Sequence, residues 1–183
     1  MLLGAGGKIG PSLALMAHRA LDAAGSNTEV IAVSRWSVER SRTLLEDGGI
    51  RTLSADLADP DVYADLPDAG SLFFLVGHKF DASADSARTW WMNAIVPSLA
   101  AARYRGVPSV VYSTGNVYPF RPMQFGGATE ATPPAPIGDD AQSCLAREQV
   151  FRHAATTWGT RADDLVAGIE IKGRDRHVQH GRA

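Results

Sequence analysis

Near its start the chain reads Gly4-Ala5-Gly6-Gly7-Lys8-Ile9-Gly10, directly after the apolar stub Met1-Leu2-Leu3 and directly before an amphipathic segment. Strand, glycine turn and helix in that order form the opening of a dinucleotide-binding fold. Glycines there allow a sharp turn, close approach of the backbone to a pyrophosphate and tight packing of helix on strand. The N-terminus of the following helix offers free N–H groups and a positive dipole end to phosphates. The spacing puts glycine at 4, 7 and 10, with Lys8 and Ile9 inside the turn, where the usual dehydrogenase spacing would put glycine at Ile9. A turn of this kind is weak evidence alone, so the remaining pattern decides the fold.

The sequence has 183 residues, 45% of them hydrophobic, which suits one domain with a real core. A formal net charge of −2 with mixed signs gives no electrostatic case for nucleic acid or an anionic membrane. No apolar run is longer than Leu72-Phe73-Phe74-Leu75-Val76, which is too short to span a bilayer. No signal-peptide pattern opens the chain. Cys144 is the single cysteine, which excludes an internal disulfide and a cysteine-built zinc site, and no other metal site is expected. These features predict a soluble cytoplasmic domain.

Leu13, Met16, Ala17, Ala20, Leu21 and Ala24 recur at helical spacing and predict a helix over 11–24, closed by Gly25-Ser26-Asn27. Strands are predicted at 30–33, 50–53, 72–76 and 107–112, with helices at 38–46, 87–105 and 139–158 and a Pro- and Gly-rich loop at 119–138. Only three residues precede Gly4, a short first strand. Strands that alternate with helices and read as continuous apolar runs pair in parallel, with helices on both faces. The expected fold class is α/β, a Rossmann-type doubly wound parallel sheet with ligands at the carboxyl ends of its strands.

Ser34-Arg35 follows the second strand, where such a fold meets the adenosine ribose. An acidic side chain there accepts from a free 2′-hydroxyl, whereas Ser-Arg suits a 2′-phosphate and so favours NADP over NAD. The alternative is a solvent-exposed arginine opening the next helix. Asp56 or Asp59 can also start a short helix at Pro60. Val76-Gly77-His78-Lys79 ends the fourth strand, near the expected nicotinamide position, so His78 or Lys79 either contacts cofactor or substrate or is merely solvated. Cys144 reads as a small buried hydrophobe, Trp90-Trp91 as core or interface, and Arg147-Glu148 as an exposed helix pair.

Val110-Val111-Tyr112-Ser113-Thr114-Gly115-Asn116-Val117-Tyr118 resembles the fifth strand and following loop of the extended short-chain dehydrogenase/reductases. Gly6-Gly7-Lys8-Ile9-Gly10-Pro11, Lys79-Phe80, Trp91-Met92-Asn93, Ser113 to Pro119 and Gln142 to Glu148 together resemble one bacterial subgroup, the NAD-dependent epimerase/dehydratase family. The resemblance runs from residue 2 to about 158. It implies that Thr114 is the catalytic hydroxyl that meets the substrate and that Asn93 shapes the active-site backbone and a water path. It also implies that Asp56 accepts from the adenine amine while Leu57 covers the ring. The cofactor set is then Gly4, Gly7, Lys8, Ile9, Gly10, Ser34, Arg35, Asp56, Leu57, Val76, Gly77 and His78.

The sequence departs from that family at its centre. The family's general acid/base is a Tyr with a Lys four residues later, the Lys lowering the phenol pKa from about 10. Asp140 stands at the Tyr place and Cys144 at the Lys place. An aspartate is ordinarily ionised and a thiol carries no positive charge, so the standard proton relay is absent. Leu165 to Ile171 can make one further strand, but residues 172–183 are polar and patternless, which predicts disorder. The expected organisation is a dinucleotide-binding domain over 1–171 and a tail over 172–183, with the family's C-terminal substrate lobe truncated or missing. The expected function is an impaired NAD(P)-dependent epimerase/dehydratase-like oxidoreductase acting on a nucleotide-sugar or related polyol. Its rivals are a non-catalytic NADP-binding domain and an inactive remnant of a truncated or frame-shifted gene. The expected partner is a small molecule, with a homodimer formed through the helix at 87–105.

Overall fold

The computed structural model describes residues 1–78, 85–120, 124, 126–129 and 131–159. Its strands are β1 (Leu2–Leu3), β2 (Ile31–Ser34), β3 (Arg51–Ser54), β4 (Leu72–Phe74) and β5 (Ser109–Val111). Its helices are α1 (Gly10–Ala23), α2 (Glu39–Asp47), α3 (Ser86–Trp90), α4 (Val96–Arg103) and α5 (Gly138–Trp158). The strands form one parallel sheet in the order β3-β2-β1-β4-β5. Strand order reverses between β1 and β4, and a doubly wound sheet opens its ligand crevice at such a point. The predicted α/β class and parallel sheet are present.

Side-chain alternation along the strands divides the core into two layers. Leu3, Val33, Phe74 and Val111 face α4 and α5, packing with Val96, Ala100 and Phe151. Leu2 and Ala32 face the other way, onto Leu13 and Ala14 of α1 and Leu45 of α2. The Phe74 and Phe151 rings lie 5.3 Å apart, centroid to centroid.

Two elements differ from the sequence reading. The buried face of α1 is Gly10, Leu13 and Ala14, with Ala17 and Leu21 half-buried, while Met16, Ala20 and Ala24 are exposed. Gly10 packs closely on the Ala5 backbone. The single helix predicted over 87–105 is interrupted by a π-helical turn, Trp91–Ile95, between α3 and α4. Pro97 explains it: proline has no N–H for the Asn93 carbonyl four residues back, and its ring crowds that carbonyl. The aspartate–proline start is present, with Asp59 accepting from Asp61 N–H at 3.0 Å as a 3₁₀ turn begins at Pro60. Lys79, Phe80, the strand expected at 165–171 and the boundary at 171 lie outside the described residues.

Candidate functional site

Backbone ladders decide where the glycine turn sits. Gly4 and Ala5 both donate to Val33 O, at 2.9 and 3.1 Å, which pins the turn against the end of β2. Gly4 has φ +86°, and a Cβ on it would meet Val76 N at 2.8 Å. At Gly10 a Cβ would stand 2.1 Å from Ala5 O, so α1 can approach β1 this closely only without a side chain. Gly6, which the 4-7-10 spacing passes over, faces Ser34 Oγ just as closely.

Gly7 differs from all of these. A Cβ there would meet only Gly4 O, at an ordinary 3.6 Å, so the protein itself leaves that side open. Among the described residues the N–H groups of Gly6, Lys8 and Ile9 have no hydrogen-bond partner. Unpaired donors at a helix start, beside a glycine facing open space, fit an anionic phosphate.

The ends of four strands converge on this turn. A groove of ≈ 250 Å³ lies between the glycine turn after β1, Ser34 and Arg35 after β2, Asp56 and Leu57 after β3, and Val76 and Gly77 after β4. The structure thus brings together eight of the twelve expected cofactor residues: Gly4, Gly7, Ser34, Arg35, Asp56, Leu57, Val76 and Gly77. Lys8 and Ile9 are exposed beside the turn, Gly10 is buried behind it and His78 lies just past the groove's end.

Arg35 sits at the groove's rim, half-exposed, with Nη1 4.0 Å from Asp56 Oδ2. The backbone that presents it is unusual. The next residue, Trp36, has φ 52°, a conformation that bulky side chains rarely adopt. Its indole is buried and donates to Leu53 O at 2.9 Å, which holds the turn. Asp56 itself accepts from Ala58 N–H at 3.1 Å, so it starts a local turn as well as lining the groove.

Asn93 is fully buried inside the π turn, and its amide is saturated. Oδ1 accepts from His78 N–H at 2.9 Å and from Arg147 Nη2 at 2.8 Å. Nδ2 donates to His78 O and to Ser143 Oγ, each at 3.0 Å. One amide therefore fixes the backbone just beyond Gly77 and ties α5 to β4. We predict that Asn93→Ala lowers stability by about 2–3 kcal/mol, because removal strands several buried partners. Chemical denaturation measures this, and a loss below about 0.5 kcal/mol would contradict the network.

The pair Arg147-Glu148 is not an exposed helix pair: both side chains are buried, at 6% and 7%. Arg147 Nη1 donates to Tyr112 O at 2.7 Å, and Glu148 accepts from Ser113 Oγ, so α5 grips the end of β5. Burial pushes the Arg147 pKa down from its ordinary value, against the pull of Cys144, Asp140 and Glu148. Helical spacing could not reveal this, since charged residues are rarely placed inside by pattern alone. Trp90 is half-buried and donates to Asp139 Oδ1 at 3.1 Å. Trp91 is 40% exposed and donates to Ala58 O, so it is not a core residue.

Thr114 is buried, and its Oγ1 accepts from Asn116 N–H at 3.3 Å, capping a 3₁₀ turn at Gly115–Val117. A second cavity, ≈ 990 Å³, opens beside that turn, with Asn116, Tyr118, Phe120, Asp139 and Asp140 among its walls. Asp140 Oδ2 is 3.4 Å from Asn116 Nδ2, and Asp140 Oδ1 is 3.9 Å from Cys144 Sγ. Hydrogen bonds from Ser86 and then Trp90 lower the Asp139 pKa. A further hollow of ≈ 700 Å³ lies at the opposite end of the strands, by Met1, Val30 and Ser71, away from all of these groups. No cluster of three metal-ligating side chains occurs among the described residues, and none of their helices is long and apolar enough to cross a membrane.

Comparison with known proteins gives no matching family model and no matching curated sequence. Solved structures do match. MoeE5 with UDP-glucose and NAD superposes with a TM-score of 0.67 at 22% identity, over 92% of this chain and 52% of that one. The UDP-Glc/GlcNAc 4-epimerase of Campylobacter jejuni gives 0.70 at 17% identity, over 85% of this chain and 48% of that one. The UDP-glucuronic acid 4-epimerase of Bacillus cereus, solved with UDP-glucuronic acid and NAD, gives 0.72 at 15% identity, over 91% and 54%. The chain thus has the Rossmann-type fold of these proteins and spans about half their length.

Proposed function

We propose that this chain is a nicotinamide-dinucleotide-binding domain of the epimerase/dehydratase type, with weak or no turnover of its own. The observation that carries the reading is the groove at four strand ends, floored by a glycine turn in which the N–H groups of Gly6, Lys8 and Ile9 lack partners among the described residues. The shared fold with proteins solved with NAD and UDP-sugars supports the same class of ligand. Gly6, Gly7 and the start of α1 would hold the pyrophosphate, Arg35 and Ser34 the adenosine ribose, and Asp56 and Leu57 the adenine. Such a cofactor, when bound, accepts or donates a hydride; the protein's part is to bind and orient it.

A substrate of nucleotide-sugar or polyol type would sit by the wider cavity, near Thr114 and Asn116. Asp140 is the only acidic group at the Tyr place, and a carboxylate there can hold a proton donor but does not act as a phenol. The rival reading, a non-catalytic binding domain, is favoured by the same exchange of Tyr and Lys for Asp140 and Cys144. Turnover with UDP-sugars distinguishes the two. Self-association through 87–105 would use Trp91 and Ile95, which are about 40% exposed, at 40% and 41%.

The dinucleotide is NADP in this proposal. Arg35 and Ser34 support it, and Asp56 stands close enough to Arg35 to orient the guanidinium without burying it. A charge-assisted contact to phosphate contributes roughly 1.5–3 kcal/mol, so Arg35→Ala should remove a preference of about tenfold or more. Calorimetric titration of both variants with NADP and NAD reads this. Tighter NAD binding by the wild type would place the ribose site elsewhere.

A further inference from the structure

Arg147 carries a buried charge that no carboxylate among the described residues meets at ion-pair distance. The residue is 6% exposed, and none of the ion pairs among the described residues includes it. Its partners are Tyr112 O, Asn93 Oδ1 and, at 3.7 Å, Cys144 Sγ, while Nε is buried without a hydrogen-bond partner. Asp140 and Glu148 attract it from beyond ion-pair distance, but burial outweighs their pull, and an arginine does not escape by losing its proton.

The position of the charge points to what balances it. Gly77 lines the groove, and a Cβ on Gly77 would lie 3.0 Å from Arg147 Nη2. The guanidinium therefore stands immediately behind the groove's wall at the end of β4, reached through the space a side chain would fill. Three fixed elements hold it there: the end of β5 through Tyr112 O, the π turn through Asn93, and its own helix α5. Low dielectric and fixed geometry make its field strong at that wall.

We propose that Arg147 is the positioning cation of the groove and that it makes the groove favour the reduced over the oxidised dinucleotide. The inference rests on the dinucleotide reading above. Oxidised nicotinamide carries a positive ring charge. Addition of a hydride, one proton and two electrons, neutralises the ring and leaves the dinucleotide one unit more negative. A fixed cation behind Gly77 repels the first form relative to the second.

The test is the ratio of dissociation constants, oxidised over reduced, measured by calorimetry with NADP⁺ and NADPH, and with NAD⁺ and NADH in parallel. Arg147→Met should lower that ratio by about fivefold or more, given partial screening across the groove wall. Arg147→Lys should keep it within about twofold of the wild type. A purely structural role would weaken both forms alike and leave the ratio unchanged, and that result overturns the proposal. If the methionine variant does not fold, Arg147→Gln serves instead, since it keeps hydrogen-bond donors while removing the charge, and the same fall in ratio is expected. An unchanged ratio there overturns the proposal equally. A wild type that binds neither form removes the dinucleotide reading, and this inference with it.

Discussion

Gly10→Val is expected to abolish the folded domain or to lower its stability by at least about 4 kcal/mol, while Gly7→Ala leaves the melting temperature nearly unchanged. The first Cβ at position 10 would lie 2.1 Å from Ala5 O, 2.5 Å from Ala5 C and 2.6 Å from Ala5 Cα. No rotamer change relieves a contact between two stretches of backbone, so α1 must lift off β1. That would open Leu13 and Ala14 to water along with the layer they pack in. At Gly7 the corresponding Cβ meets nothing closer than 3.6 Å. Thermal melts by circular dichroism compare the two, and equal loss at both positions would contradict the packing described for the turn.

Turnover of nucleotide-sugars is expected to be low or absent, by at least the 10²–10⁴-fold that positioned acid–base assistance typically contributes, roughly. The restoring pair Asp140→Tyr with Cys144→Lys is expected to recover little. Arg147 Nη2 already lies 3.7 Å from Cys144 Sγ, so a lysine at 144 would set a second cation against a buried one. His78 would be the alternative acid/base, and its ring Nδ1 lies 3.2 Å from Thr89 Oγ1. An assay of cofactor reduction with a panel of UDP-sugars decides, using wild type beside His78→Ala and Thr114→Ala. Robust wild-type turnover would refute the expectation, and loss on either substitution would then name the group responsible.

The strand ends were legible because apolar runs, glycines and the residues that follow each strand are local signals. Ser34, Asp56 and Gly77 fall where the period and the fold rule put them. Local patterning did not reveal what depends on contacts distant in sequence. Gly6 matters through Ser34, Trp36 through Leu53, and Arg147 through Asn93 and Tyr112. A helical wheel also could not show that Pro97 would widen the turn around Asn93, although proline in a helical stretch is the available clue. Arg147-Glu148 misled for the opposite reason: charge in a helix ordinarily means solvent, and here α5 turns both inward. The departure at Asp140 and Cys144 was readable because it is a matter of residue type at a matched position.

The most direct test of the central claim is calorimetric titration of NADP(H) into the wild type and into Gly7→Val. The groove and its unpaired N–H groups predict measurable binding by the wild type. They also predict at least about a tenfold loss, about 1.4 kcal/mol, in the variant, whose side chain occupies the open face the pyrophosphate needs. Equal affinity in the two proteins, or no binding by the wild type, would contradict it.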